Sequence, residues 1–195
     1  MLLNPRKIPG YWDDGFALDL HTLSSQFLGH DDVGRPQFET TRTELGELLF
    51  KLKYRDDRSV IPAIASAASA FIRDWNPRVD VLLPIPPSRH RAVQPLLAIA
   101  SELGRLLGLK VDVQVIQKTG DPTELKDVFD YEKRMELLES TLAIEAKALL
   151  DKRVLLLDDL FRSGATLNAV ARLVRNRGGA AAVFALALTR TRNSQ

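Results

Sequence analysis

The segment from Val154 to Leu167 constrains the fold of this chain more than any other part of it. Its first four residues, Val154–Leu157, are all apolar, as expected of a strand buried on both faces inside a parallel sheet. Two adjacent carboxylates, Asp158 and Asp159, follow, and a short loop of small residues then leads into a helical pattern. Because open parallel sheets bind ligands where their strands end, the segment predicts a ligand site as well as a buried strand.

Apolar strands and helical patterns alternate through the chain from residue 79 onward. Val79–Ile85 predicts a strand, a helical stripe follows and ends at Gly108, and Ala182–Leu188 predicts a last strand. Repeated strand–helix–strand order predicts an α/β fold, with an open parallel sheet, helices on both faces and right-handed crossovers. We expect residues 79–195 to form this core.

Residues 1–78 show a different pattern and predict an α+β cap packed on the core rather than a separate domain. Phe16, Leu18 and Leu20 alternate with less apolar residues, as in a strand, and two amphipathic helical stripes follow later. Near the end of the first helix, Lys51 and Arg55 share one helical face while Lys53 lies on another. This spacing favours solvated cations over a patch that binds anions.

Composition excludes several classes of protein. The chain has 195 residues, a net charge of +2 and no cysteine. So small a charge gives no support for binding nucleic acid, and disulfides and thiolate zinc sites are ruled out. No apolar run reaches the length of a membrane span, and the first residues lack the apolar core of a signal peptide. We therefore expect a cytoplasmic protein with no membrane partner.

The loop after Asp159 has the composition of a phosphate site. Ser163, Gly164 and Thr166 would also be explained by helix capping alone. Capping does not explain Asp158 and Asp159, since two like charges at the end of an apolar strand are unfavourable unless something partners them. Backbone N–H groups of a helix N-terminus can surround a phosphate, and carboxylates can accept hydrogen bonds from sugar hydroxyls. Together these groups predict a site for a phosphorylated sugar.

This pattern resembles the loop that binds phosphoribosyl diphosphate (PRPP) in the type I phosphoribosyltransferases. The resemblance implies that Asp158 and Asp159 are the catalytic pair and contact the ribose hydroxyls. It also implies a 5′-phosphate site made of Arg162, Ser163, Gly164, Ala165 and Thr166. The family usually has Thr or Ser where this chain has Arg162.

A second loop, rich in proline and arginine, follows the strand that ends near Ile85. The family keeps its pyrophosphate loop at this place, which implies pyrophosphate contacts from Pro87, Ser88 and Arg89. Prolines restrict the backbone there, and arginine is a good donor to a diphosphate. Without the resemblance, an ordinary proline-stiffened turn with solvated arginines would explain the same residues.

A third stretch, from Lys118 to Lys126, lies where the family has a mobile flap. A flap of this kind would exclude water from the reacting carbon. Lys118 and Arg134 are the candidates for further pyrophosphate contacts. A solvated loop is the alternative interpretation.

With the Leu52–Asp57 segment, these loops resemble the ComF-like branch of the family, whose members are associated with competence and DNA uptake. The likeness runs from about residue 45 to residue 190. It departs in two places: the four-cysteine zinc knuckle common in that branch is absent, and Arg91–Pro95 replaces the usual Arg-Gly-Phe-Asn-Gln run.

The resemblance implies a Mg²⁺-dependent enzyme that transfers the ribose 5-phosphate of PRPP to a nitrogenous acceptor and releases pyrophosphate. Mg²⁺ would be held by substrate oxygens and water, with no direct protein ligand expected. The alternative is a protein of the same fold that binds PRPP or a nucleotide without catalysis and acts on a partner, with a link to competence. A homodimer is compatible with the apolar positions of residues 1–78.

Overall fold

Strands and helices alternate along the computed structural model, which describes residues 1–87, 94–120 and 131–192. The strands are β1 (Arg6–Lys7), β2 (Asp14–Leu20), β3 (Thr22–His30), β4 (Pro36–Arg42), β5 (Val81–Pro84), β6 (Lys110–Val111), β7 (Ile116–Lys118), β8 (Leu142–Ile144), β9 (Arg153–Phe161) and β10 (Ala182–Arg190). The helices are α1 (Glu44–Tyr54), α2 (Ile61–Trp75), α3 (Pro95–Leu107), α4 (Tyr131–Ser140) and α5 (Ala165–Asn176), with a 3₁₀ turn at Arg58–Val60.

The main sheet has six strands in the spatial order β1, β2, β10, β9, β5, β6. Every neighbouring pair is parallel except β1 with β2. From β9 the chain crosses to β10 in one direction, and from β5 it crosses to β6 in the other. Right-handed crossovers that run in opposite directions place α5 and α3 on opposite faces of the sheet. The predicted α/β fold, a parallel sheet with helices on both faces, is confirmed.

The connections diverge between β5 and β9, which are neighbours in the sheet. Pro84 of β5 lies opposite Leu157 of β9, so the two strands end near each other at the same edge. Val154–Leu157 are completely buried, in agreement with the apolar sequence. Connections that leave adjacent parallel strands in opposite directions open a crevice between the loops that follow them.

The N-terminal strands belong to the main sheet. β2 pairs in parallel with β10, with Phe16 opposite Leu186, and β1 adds an antiparallel edge. The predicted division of the chain at residue 78 stays a prediction, but the sheet itself crosses that boundary. The β3–β4 hairpin, in contrast, pairs only within itself and is exposed along most of its length.

An aromatic cluster holds α2 against the sheet. The rings of Phe16 and Trp75 meet edge to face with their centroids 5.2 Å apart, and Trp75 meets Phe184 in the same way at 5.8 Å. The indole nitrogen of Trp75 also donates a hydrogen bond of 3.1 Å to Asp14. Residues from before and after the predicted boundary therefore share one core.

In the part of the chain that the structure describes, no helix is long and apolar enough to cross a bilayer.

Candidate active site

A cavity of about 300 Å³ lies in the crevice where β5 and β9 end. The loop after β5 supplies one wall and the end of β9 with the start of α5 supplies another. The residues that line it are Lys53, Ile85, Pro86, Pro87, Gln94, Pro95, Leu96, Asp158, Asp159, Leu160, Arg162 and Thr166. The acids predicted from the sequence thus face a cavity at the topological switch point, where such sheets bind ligands.

The two carboxylates at the end of β9 are held in different ways. The backbone N–H of Asp159 donates to Oδ1 of Asp158 over 2.8 Å. Oδ2 of Asp159 lies 2.7 Å from Nζ of Lys53, which belongs to α1. Side chains that follow each other along a strand point to opposite faces, so the two acids present carboxylates on both sides of the strand end.

Asp158 holds its proton more tightly than an ordinary aspartate does. Burial, followed by the neighbouring charge of Asp159, raises the pKa of Asp158 to about 7. The backbone N–H groups of Asp159 and Leu160 and the charge of Lys53 act in the opposite direction. Perturbed carboxyl groups of this kind are concentrated at functional sites, and here the perturbed group lines the cavity.

Lys53 is a site residue that the sequence analysis missed. Its side chain is only 18% exposed, and its ammonium group forms an ion pair with Asp159. The prediction of a solvated cation was wrong because helical spacing shows which residues share a face, but does not show what that face meets. The side of α1 that carries Lys53 lies over the end of β9.

Gly164 shapes the loop between β9 and α5. Its φ is +75°, a conformation that side chains rarely adopt, and an added Cβ would lie 2.7 Å from the ring of Phe161. The strand continues through Leu160 and Phe161 before the chain turns, so the loop is shorter than the sequence predicted. The glycine permits this tight turn.

The turn and the first residues of α5 surround a second space of about 100 Å³. It is lined by all five residues predicted to hold a 5′-phosphate, namely Arg162, Ser163, Gly164, Ala165 and Thr166. Gly164 is the N-cap and provides no side-chain acceptor, while the hydroxyl of Ser163 is 3.5 Å from the N–H of Ala165. Within the described part of the chain, the N-cap residue makes no side-chain hydrogen bond to the first turn, so N–H groups remain there that suit an anion.

The predicted pyrophosphate residues are only partly described. Pro87 lines the large cavity beside Pro86. Ser88 and Arg89 lie outside the described residues, as does the side chain of Arg134 on α4. Lys118 ends β7, opposite Leu142 of β8 in a separate two-stranded sheet, and is not one of the residues that line the large cavity.

A hydrogen-bond chain joins the end of β2 to the end of β9. The hydroxyl of Thr189, which is completely buried, donates to the carbonyl oxygen of Asp159 over 2.9 Å. Nδ1 of His21 lies 3.2 Å from the same hydroxyl oxygen. His21 follows β2 directly, so this chain links three adjacent strand ends beside the acidic pair.

The comparison with known families agrees with this geometry. The phosphoribosyl transferase domain family matches residues 53–195, which is most of the chain. This protein belongs to that family, as its motifs predicted.

Among curated proteins, the chain is similar to competence protein ComFC of Bacillus subtilis (strain 168), with 29% identity over 148 residues. The matched stretch covers 74% of this chain and 59% of that relative, so the chain corresponds to little more than half of the relative's length. The predicted resemblance to the ComF-like branch is thereby confirmed.

Two solved structures give a general likeness. Adenine phosphoribosyltransferase from Leishmania tarentolae is 11% identical, with 96% of this chain and 79% of that chain covered and a TM-score of 0.46. Purine phosphoribosyltransferase from Pyrococcus horikoshii is 20% identical, with coverage of 68% and 83% and a TM-score of 0.42.

Proposed function

We propose that this protein is a Mg²⁺-dependent phosphoribosyltransferase that transfers the ribose 5-phosphate of PRPP to a nitrogenous acceptor and releases pyrophosphate. The observation that carries the proposal is the position of Asp158 and Asp159. Both line the large cavity. The chain then turns at Gly164, the N-cap of α5, so the helix N-terminus lies close to the acid pair in the sequence. An acid pair beside an anion site suits a sugar whose far end is phosphorylated.

The smaller space at the start of α5 would take the 5′-phosphate. Arg162, Ser163 and Thr166 line it, and their guanidinium and hydroxyl groups, together with backbone N–H groups, could bind the phosphate oxygens. A helix N-terminus attracts anions through these N–H groups and through the helix dipole. Thr166 and Arg162 line both spaces, so a bound phosphate there would leave the ribose in the large cavity.

The acid pair would hold the ribose hydroxyls and favour the transition state. When the diphosphate leaves C1, positive charge develops on C1 and on the ring oxygen. A carboxylate stabilises this developing positive charge most strongly where water is excluded. Asp159 forms an ion pair with Lys53, and Asp158 supplies a second group whose charge varies near neutral pH.

The diphosphate would lie toward the loop after β5. Pro86 and Pro87 form that wall of the cavity. Ser88, Arg89, Lys118 and Arg134 remain predicted contacts to the diphosphate. Arginine and lysine there would stabilise the leaving anion.

The residues of the site fit a magnesium ion that is bound mainly through substrate. Two carboxylates face the cavity, and hard oxygen donors suit Mg²⁺. The described residues contain no group of three acidic, histidine or cysteine side chains that could enclose a metal by themselves. Asp158 and Asp159 would hold the ion through water, with diphosphate and ribose oxygens as its direct ligands. When bound, Mg²⁺ would neutralise charge on the leaving diphosphate.

Calorimetry and a pyrophosphate assay test the proposal. We expect saturable PRPP binding that requires Mg²⁺ and that is lost in the Asp158→Asn, Asp159→Asn double variant. Asp151→Asn, at an exposed turn away from the cavity, should bind PRPP as the unmodified protein does. Pyrophosphate release with a panel of bases and amines then tests transfer itself.

The outcomes separate the two functions considered for this fold. No interaction at millimolar PRPP would refute the proposal. PRPP binding without turnover on any acceptor would favour a non-catalytic regulatory protein. A role of that protein in competence would then need a separate test.

A further inference from the structure

The acceptor must approach the acid pair from the side that the PRPP groups leave open. In the proposed function, the diphosphate lies toward the loop after β5 and the 5′-phosphate lies at the start of α5. The remaining side is where β10 and β2 end, next to β9 in the sheet. His21 and Thr189 lie at these strand ends and are joined by hydrogen bonds to Asp159, which Lys53 reaches from α1. Of these four residues, Asp159 and Lys53 line the cavity itself.

The hydrogen bonds of Thr189 fix the tautomer of His21. A threonine hydroxyl has one proton, and that of Thr189 is donated to the carbonyl oxygen of Asp159. The hydroxyl oxygen can therefore only accept from the imidazole, so Nδ1 of His21 carries a proton. In the neutral ring, Nε2 then has the lone pair. Within residues 1–87, 94–120 and 131–192, no hydrogen bond to Nε2 is observed.

The surroundings of His21 favour the neutral ring. Its imidazole is half-buried, and burial lowers its pKa. Lys53 from α1 and Arg42 from β4 lower that pKa further, whereas Asp159 from β9 raises it. Thr189 from β10 contributes only its hydroxyl. At neutral pH the ring is thus an uncharged base next to two cations and one carboxylate.

We propose that Nε2 of His21 accepts the proton of the attacking nitrogen, and that the acceptor is a molecule whose nucleophile is an N–H group. This inference rests on the proposed transferase function. Of the other bases on this side, the carboxylate of Asp159 is engaged by Lys53, and the proposed function assigns both acids to the ribose hydroxyls. The imidazole is the base that these contacts leave available.

The step is balanced within the site. As the nitrogen forms its bond to C1, the C1–O bond to the diphosphate breaks and its electron pair leaves with the diphosphate. The proton of the N–H group passes to Nε2, which gives an imidazolium that keeps its Nδ1–H bond to Thr189. The imidazolium then returns the proton to water. A general base of this kind contributes about 10²- to 10⁴-fold in rate.

The base also defines the class of acceptor. A ring nitrogen of the pyridine type has no proton to lose and gains nothing from a base. An amine or a heterocyclic N–H must lose one proton during transfer. The family match begins at Lys53 and does not include His21, so this part of the site comes from the N-terminal strands of this chain.

Nuclear magnetic resonance of the unmodified protein tests the tautomer without requiring turnover. The chain has three histidines, so ¹⁵N shifts of the rings can be assigned with single variants. We expect His21 to be neutral and protonated on Nδ1 at pH 7. A ring that is protonated on Nε2, or that is charged at pH 7, would overturn the inference.

Kinetics of His21→Asn test the role of the ring, because the amide N–H can still donate to Thr189 while Nε2 is lost. We expect PRPP affinity within about twofold of the unmodified protein and a fall in kcat of about 10²- to 10⁴-fold. His30→Asn, in the exposed hairpin, is the matched control and should change neither quantity.

Each result has a distinct meaning. Unchanged kcat in His21→Asn, or turnover confined to pyridine-type acceptors, would overturn this inference and leave the transferase function standing. PRPP binding by the unmodified protein with no pyrophosphate release on any acceptor would refute the transferase function, and this inference with it.

Discussion

Nζ of Lys53 lies 2.7 Å from Oδ2 of Asp159, which connects helix α1 to the acidic end of β9. The two side chains are 18% and 26% exposed, so this contact is better shielded than the surface ion pairs that contribute little to stability. The ion pair places a cation from the N-terminal region inside the candidate active site. It also gives one carboxylate of the pair a cationic partner, while the other carboxyl group has a raised pKa.

Replacing Lys53 by methionine should weaken PRPP binding at neutral pH. The lysine charge lowers the pKa of Asp158, so its loss raises that pKa and leaves less carboxylate to accept hydrogen bonds from the ribose. We expect an affinity loss of about tenfold at pH 7, comparable to the loss of one charge-assisted hydrogen bond. Calorimetry between pH 6 and pH 9 should show the midpoint of binding shifted to higher pH.

Lys51→Met is the control for this experiment, since Lys51 lies on α1 but does not line the cavity. It should bind PRPP with the affinity and pH dependence of the unmodified protein. If the midpoint of Lys53→Met were unchanged, the ion pair would have no electrostatic effect on the acid pair.

Asp158 should make the fold less stable as pH rises. Its pKa in the folded state, about 7, lies above the ordinary value of 3.8, so the folded state binds the proton more tightly than the unfolded state does. The stability associated with the protonated carboxyl is fully present below about pH 4 and is lost as pH rises toward 7. The pKa shift corresponds to a change of at most about 4 kcal/mol in the free energy of unfolding.

The Asp158→Asn variant removes this ionisation and retains an acceptor for the N–H of Asp159. We expect it to melt at a higher temperature than the unmodified protein at pH 8, with a smaller difference at pH 5. The same variant should lose PRPP affinity, since an amide is a weaker acceptor than a carboxylate. A melting difference that does not change with pH would contradict the raised pKa.

Local signals in the sequence were sufficient to predict the strand and turn around which the candidate site is built. A buried strand, two acids, a glycine and a helix follow one another without interruption, and each has a local physical cause. The N-cap of α1 shows that such local signals locate the start of a helix only approximately. The residues from Thr41 to Glu44 have the pattern of a capping box with Thr41 as the N-cap. The structure instead caps the helix with Thr43, whose hydroxyl accepts from the N–H of Gly46.

The parts that the sequence did not predict depend on contacts between distant segments. The pairing of β2 with β10 joins residues that are about 170 positions apart, and no local pattern specifies a partner strand. The position of His21 near Asp159 follows from that pairing, and the position of Lys53 follows from the contact of α1 with the end of β9. Both positions could be identified only after the strand order was known.

Gly164→Ala should damage the phosphate site and the fold together. A Cβ at this position would be 2.7 Å from the ring of Phe161, at a φ of +75°. Strain of this kind amounts to about 1–3 kcal/mol. We expect a lower melting temperature than that of the unmodified protein. We also expect a larger loss of PRPP affinity than in the control variant, Gly108→Ala.

Gly108→Ala is the matched control, because Gly108 has a φ of +66° and its added Cβ would meet nothing within 4 Å. It should lose stability from the backbone conformation alone and keep its PRPP affinity. Equal affinities in the two variants would show that the turn at Gly164 does not shape the phosphate site.

Gly46→Ala tests whether the position of α1 controls the site from a distance. In an ordinary helix, alanine in place of glycine stabilises by about 1 kcal/mol. Here the added Cβ would overlap the carbonyl oxygen of His21, and because that atom belongs to the backbone, α1 must move away from the end of β2. We expect a net destabilisation of about 1–3 kcal/mol and weaker PRPP binding, because α1 also carries Lys53. Ser66→Ala on the exposed face of α2 should leave both quantities unchanged, and a stabilised Gly46→Ala with full PRPP affinity would show that α1 and the acid pair are independent.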